Sequence, residues 1–247
     1  MQIIAIIPAR YASTRFPGKP LVDIHGKSML QRVYEQASKS ELVDRIIIAT
    51  DDSRIFEHAL GFGAEVQMTQ DYHLSGTDRV AEVARTILEA DIILNIQGDE
   101  PFIDPDQIDQ LALFLKNNTS FQIATLAKKM EHSPAIFDPN IVKVVFDKNK
   151  KALYFSRASI PHHRGQSAEN WDTENTVYKH IGLYGFRPNV LREISKLNPS
   201  RLELAESLEQ LRWLENGYSI GVEITSYESI SIDHPADLDF LSTDEKS

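Results

Sequence analysis

The feature that most limits what this chain can become is a repeated pairing over residues 2–117. A short apolar run, unbroken or nearly so, is followed each time by a stretch with helical period. The runs are residues 2–7, 45–49, 65–69 and 91–97, and the helical stretches are 28–39, 53–60, 77–89 and 105–117. A strand that is apolar on both faces needs cover on both, and strands alternating with helices predict a parallel sheet with right-handed crossovers. Gly61-Phe62-Gly63 closes the second helical stretch, where a helix commonly ends on glycine.

Beyond residue 118 the rhythm changes. Residues 123–127 read as a strand, 141–146 and 151–155 as two strands about a turn at 147–150, and 179–186 as another strand. Residues 191–197 and 200–215 read as helices, the second ended by Asn216-Gly217. Short strands at 219–225 and 229–232 and a closing helix at 235–241 complete the pattern. The polar stretch 158–176 predicts a surface excursion. With no internal repeat and no low-complexity linker, the expectation is one α/β domain over residues 1–247, the later elements adding to the same sheet.

Several function classes drop out on composition. The chain has no cysteine, which excludes a disulfide scaffold, a thiolate metal site and a cysteine nucleophile. Its formal charge of −10 disfavours nucleic acid and acidic membrane surfaces as partners. An anionic ligand would need a local positive site. No stretch approaches the ~20 apolar residues of a membrane span. Residues 3–7 are too short for a secretory signal and run into a proline, so a cytoplasmic protein is expected.

In open parallel sheets, ligands sit beyond the carboxyl ends of the strands. The segment leaving the first strand, residues 8–20, gathers Arg10, Arg15 and Lys19 within ten residues of an acidic chain. Ser13, Thr14 and backbone amides add neutral donors. Such a loop can wrap a triphosphate, although a solvated basic loop has the same composition. It is neither a dinucleotide fingerprint nor a Walker A loop. Gly26-Lys27-Ser28 imitates the end of the latter, but Leu21 stands where its first glycine belongs. After the 91–97 strand, Gln97-Gly98-Asp99-Glu100-Pro101 places a carboxylate at the ligand edge, suited to Mg²⁺ shared with substrate phosphates or to capping the next helix. Asp233, between a strand and a helix, offers a second carboxylate or simply a cap.

The motifs IPARYASTRFPGKPL (7–21), HLSGTDR (73–79), NIQGDEP (95–101), ALYFSRASIP (152–161), KHIGLYGF (179–186) and LEQLR (208–212) resemble, in order, those of the bacterial 3-deoxy-manno-octulosonate (Kdo) cytidylyltransferases. The resemblance runs from residue 4 to about 239. It implies a single nucleotidyltransferase domain with a mostly parallel, Rossmann-like sheet and a β-rich excursion, about 125–215, that carries sugar-binding and homodimer contacts. The implied reaction joins CTP and Kdo into CMP-Kdo and pyrophosphate for lipopolysaccharide biosynthesis. By resemblance Arg10, Ser13 and Lys19 face the CTP phosphates, with Arg15 nearby. Pro8, Ala9, Ser75, Gly76 and Thr77 lie toward cytosine and ribose. Asp99 and Asp233 hold Mg²⁺ and, with Lys19, form the catalytic set. Gln97, Arg157, Arg164, His180, Tyr184, Glu209 and Gln210 surround the sugar. The sequence departs from the better-known members at His162-His163, where they carry a tryptophan and an acid. The alternatives are a related acidic sugar, such as 8-amino-Kdo or sialic acid, and a non-catalytic nucleotide-binding homologue.

Overall fold

The computed structural model of the chain describes residues 1–12, 16–131, 134–165, 171, 177–228, 231–232 and 234–238. It divides into two compact units, Met1–Asp109 with Glu228–Ser247, and Gln110–Tyr227. The architecture is α/β with mostly parallel strands, as the alternation of runs implied.

The first unit is built on β1 (Ile3–Ala9), whose residues 4–7 are wholly inaccessible to solvent. Only a strand covered on both faces can hide four consecutive side chains, and only an apolar run tolerates it. Beside it lie β4 (Arg45–Thr50) and β6 (Ile92–Asn95), both parallel to β1, and β5 (Glu65–Met68) extends the sheet in parallel from β4. The order is β6-β1-β4-β5. The crossovers are α1 (Met29–Ala37), α2 (Ser53–Gly61) and α3 (Gly76–Ala84), and α4 (Pro105–Asn117) follows β6. Their starts are set by side-chain caps: Ser28 accepts from the Gln31 amide, Asp52 from Arg54 and Ser75 from Asp78.

Two details differ from the sequence reading. The α3 helix stops at Ala84 rather than near residue 89. The amide and hydroxyl of Thr86 both donate to the Val83 carbonyl, at 2.9 and 2.8 Å, so the last turn tightens and the ladder ends. A small hairpin also precedes α1, with β2 (Asp23–Ile24) paired to β3 (Lys27–Ser28). Gly26-Lys27-Ser28 therefore turns a hairpin and caps a helix, which accounts for its likeness to a phosphate loop.

In the second unit β7 (Ile123–Lys129) lies between β11 (Ile220–Thr225), which is parallel to it, and β10 (Tyr178–Phe186), which is antiparallel. The hairpin of β8 (Lys143–Phe146) and β9 (Ala152–Ser156) touches β10 through Lys143 and Lys179. The register of β10 shifts between Ile181 and Tyr184. There the Thr125 hydroxyl lies 2.9 Å from both the Ile181 and Leu183 carbonyls, filling the space the bulge opens. Three short helices complete the unit: α5 (Pro188–Ile194), α6 (Arg201–Glu206) and α7 (Gln210–Glu215). The single helix expected over 200–215 is thus two. Of the strand expected at 229–232, Ser231 and Ile232 are not in strand conformation, and residues 229–230 lie outside the described set, as do 239–241 of the closing helix.

Candidate active site

A cleft of about 200 Å³ opens at the carboxyl ends of β1 and β6, within the first unit. Pro8, Ala9 and Arg10 enter it from the end of β1, and Lys19 and Pro20 from the 3₁₀ turn Lys19–Leu21. The turn before α3 contributes His73, Leu74, Ser75 and Gly76, with Arg79 one helical turn on. Gln97, Gly98 and Asp99 close it after β6. Strand ends that are neighbours in the sheet bring their loops to one place, which is why segments some 80 residues apart meet.

At the centre, Lys19 Nζ donates to Asp99 Oδ2 at 2.8 Å and to the Ile232 carbonyl at 2.7 Å. The Ile232 amide donates in turn to the Asp99 carbonyl at 3.0 Å. Ile232 is fully buried, so the C-terminal segment is anchored beside the ion pair. Gly98 is required by close approach, since a Cβ there would stand 2.9 Å from the Pro8 carbonyl oxygen. The end of β1 and the Asp99 turn consequently pack backbone to backbone.

Of the residues expected to face the nucleotide, Pro8, Ala9, Arg10, Lys19, Ser75 and Gly76 line this one cleft. Thr77 is buried within the first turn of α3 and does not line it. Ser13, Arg15 and Asp233 lie outside the described residues. Two ionisable cleft residues were missed by sequence reading. Arg79 is 3% exposed and donates to Asp51 Oδ2 at 2.8 Å and to the Thr69 hydroxyl. His73 is paired through Nε2 with Glu82. The spacing could have found Arg79, which stands four residues after the capping Ser75 and so on the same helix face.

Among the expected sugar residues, Gln97 lines the same cleft, and the others belong to the second unit. The His180 Nε2 lies 2.9 Å from the Thr125 hydroxyl, and its ring packs 5.0 Å from Phe155 and 5.4 Å from Tyr184. Burial pushes the imidazole down to about 3, which keeps it neutral. Tyr184 is buried, with a hydroxyl that has no hydrogen-bond partner among the described residues. Burial, then the nearby Glu209 charge, raises its phenol well above the usual range. Glu209 directly precedes α7, with no side-chain cap to it, and Gln210 is buried, while Arg164 is exposed.

Arg157 is tied into the fold. Its guanidinium donates to the carbonyls of Glu206 (2.8 Å), Pro139 (3.0 Å) and Ser207 (3.4 Å). Beside it the fully buried Lys143 ammonium donates to the Asp138, Ile141 and Arg157 carbonyls at 2.6–2.9 Å, and burial lowers its pKa. In the 162–163 pair, His163 stacks on Trp171 at 4.7 Å and His162 meets the same ring edge-on at 6.1 Å.

Asp99 is the cleft's described carboxylate, and among the described residues no three His, Cys, Asp or Glu side chains cluster as a complete metal cage. The donor set nonetheless fits Mg²⁺. The ion takes one or two carboxylates and draws its remaining oxygens from water and substrate phosphates. Asp99 is 29% exposed at its side chain and pairs with Lys19, in a cleft also lined by Arg10 and Arg79, cations that would attract those phosphates.

A cytidylyltransferase profile matches residues 4–224. The chain is 54% identical over 245 residues to the 3-deoxy-manno-octulosonate cytidylyltransferase of Parabacteroides distasonis, covering 97% of this chain and 96% of that one. The enzyme of the same name from Cytophaga hutchinsonii is 50% identical, with 96% and 95% covered. A solved structure of CMP:2-keto-3-deoxy-manno-octonic acid synthetase complexed with CTP superposes with a TM-score of 0.90 at 40% identity, covering 98% of this chain and 97% of that one. A 4-diphosphocytidyl-2C-methyl-D-erythritol synthase from Anaerococcus prevotii, 14% identical with a TM-score of 0.64, shares the fold. With its cleft, its chain-long identity and its superposition in agreement, this chain belongs to the 3-deoxy-manno-octulosonate cytidylyltransferase family.

Proposed function

We propose that the chain activates Kdo with CTP, giving CMP-Kdo and pyrophosphate. The observation that carries this reading is the cleft itself, where Arg10, Lys19 and Asp99 converge beside the 75–76 turn in a chain about half identical to named Kdo cytidylyltransferases. The anomeric hydroxyl oxygen attacks the α-phosphorus in line. An O–P bond forms, the bond to the β-phosphate oxygen breaks, pyrophosphate leaves and the hydroxyl proton passes to solvent. The chain supplies position and charge rather than a covalent intermediate. Arg10 and Lys19 neutralise the triphosphate. The half-buried turn that carries Asp99 would hold its carboxylate toward the phosphates in the cleft. Mg²⁺ held by Asp99 and Asp233, when bound, would polarise the α-phosphate and acidify the attacking hydroxyl.

The sugar acid would meet the neutral His180, Tyr184, whose hydroxyl has no hydrogen-bond partner among the described residues, and Glu209 with Gln210. A homodimer, a cytoplasmic setting and a place in lipopolysaccharide synthesis belong to the same reading. No helix among the described residues is long and apolar enough to cross a membrane. Of the leucines on the α6–α7 stretch, Leu208 and Leu211 are buried within the chain, and Leu202 is 38% exposed. Sedimentation at micromolar concentration tests the dimer, and the 28.0 kDa mass of one chain would overturn it. The decisive assay is pyrophosphate release from CTP and Mg²⁺ with Kdo, 8-amino-Kdo or sialic acid offered separately. Release with Kdo foremost is expected, and no release with any sugar would revive a non-catalytic role.

A further inference from the structure

Arg54 lies in the first turn of α2, outside the residues that line the cleft. An arginine with a side chain 57% exposed would ordinarily sample many rotamers. This one is held by a bidentate pair with the capping Asp52, Nε to Oδ1 at 2.9 Å and Nη2 to Oδ2 at 2.6 Å. The pair orients the guanidinium, whose carbon stands 3.3 Å from the centroid of the Tyr11 ring. The opposite constraint on Tyr11 comes from Gly18. Its amide donates to the Tyr11 carbonyl at 3.0 Å, and a Cβ at Gly18, where φ is +75°, would lie 3.2 Å from the Tyr11 ring. Tyr11 directly follows Arg10, and Gly18 directly precedes Lys19, both cations that line the cleft.

We propose that Arg54 is a positioning residue for the nucleotide: stacked on Tyr11, it locks the Tyr11–Gly18 contact and thereby sets the two backbone stretches that present Arg10 and Lys19 to the triphosphate. The proposal rests on the CTP reading above. Arg54 acts through the ring face, so the hydroxyl of Tyr11 is dispensable and the aromatic ring is not. A phosphate-side device should also leave the sugar acid alone.

The test compares full-length wild type with R54A, Y11F, Y11L and R54A/Y11L. R54A and Y11L should each raise KM for CTP about three- to tenfold, with KM for Kdo changed less than about twofold, Y11F matching wild type and the double variant no worse than either single one. Hydrogen exchange at the Gly18 amide, which needs no substrate, should quicken in R54A while the Phe56 amide of α2 stays protected. The proposal falls if R54A leaves both KM for CTP and Gly18 exchange unchanged, if both substrates' KM values rise alike, or if Y11F is as impaired as Y11L. A wild-type chain that releases no pyrophosphate from CTP would refute the functional reading instead, and Gly18 exchange would still decide on the stack.

Discussion

Lys19 and Asp99 illustrate how much work two side chains share. Their 2.8 Å ion pair is only partly buried, so it adds at most about 1 kcal/mol to stability. Its importance lies in where it holds a carboxylate. Asp99→Asn should therefore melt within about 4 °C of wild type, yet lose at least ~10²-fold in kcat, the scale of one lost charge-stabilising group. Near-normal turnover at saturating Mg²⁺ would sink the metal assignment. Lys19→Ala should weaken CTP and UTP use about equally, because a phosphate contact is blind to the base. The ratio of kcat/KM for the two nucleotides measures this, and a changed preference would mean that the nucleotide runs the other way through the cleft. The basic loop and the Asp99 turn were legible from residue type and strand-end position. The Arg54–Tyr11 stack was not, because nothing local distinguishes an arginine with a distant partner from one in water.

The break between α6 and α7 shows the same limit for elements. Residues 200–215 hold no glycine or proline to signal an end. Ser207 nevertheless adopts φ 53°, ψ 50°, and Arg212 turns back to pair with both carboxylate oxygens of Glu203 through Nε and Nη2. A left-handed serine costs roughly 1 kcal/mol that glycine does not incur. Ser207→Gly should accordingly stabilise the chain by about 0.5–1 kcal/mol, with the Arg157 contact to the residue 207 carbonyl kept. Urea unfolding reads this directly, and a destabilised glycine variant would show that the serine side chain matters in its own right. By contrast α4 runs over Pro105–Asn117 as its apolar period implied, since a proline at the first position and a long buried stripe leave little for tertiary context to alter.

At the scale of the whole molecule, buried ionisable groups tie stability to pH. His180 titrates at about 3 when folded, against 6.5 unperturbed, because burial penalises the imidazolium. The unfolded chain thus binds the extra proton first, so this contribution is complete above pH 6.5 and is lost as pH falls toward 3. His180→Gln should flatten the fall in unfolding free energy across that window, as urea melts at successive pH values would reveal. An unchanged slope would assign acid sensitivity to the carboxylates alone. By itself the sequence determined the α/β class, the strands of the first unit and the basic loop that brings Arg10 and Lys19 to the cleft, because a doubly covered strand must be apolar throughout and a phosphate-binding loop in an acidic chain must concentrate positive charge. Only the tertiary structure decided that Thr77 turns inward, that three of the donors of Arg157 go to backbone carbonyls, and that the Tyr184 hydroxyl, near Glu209, finds no hydrogen-bond partner among the described residues. Each outcome depends on which distant groups arrive within hydrogen-bonding or Coulombic reach, and neither period nor spacing along the chain carries that information.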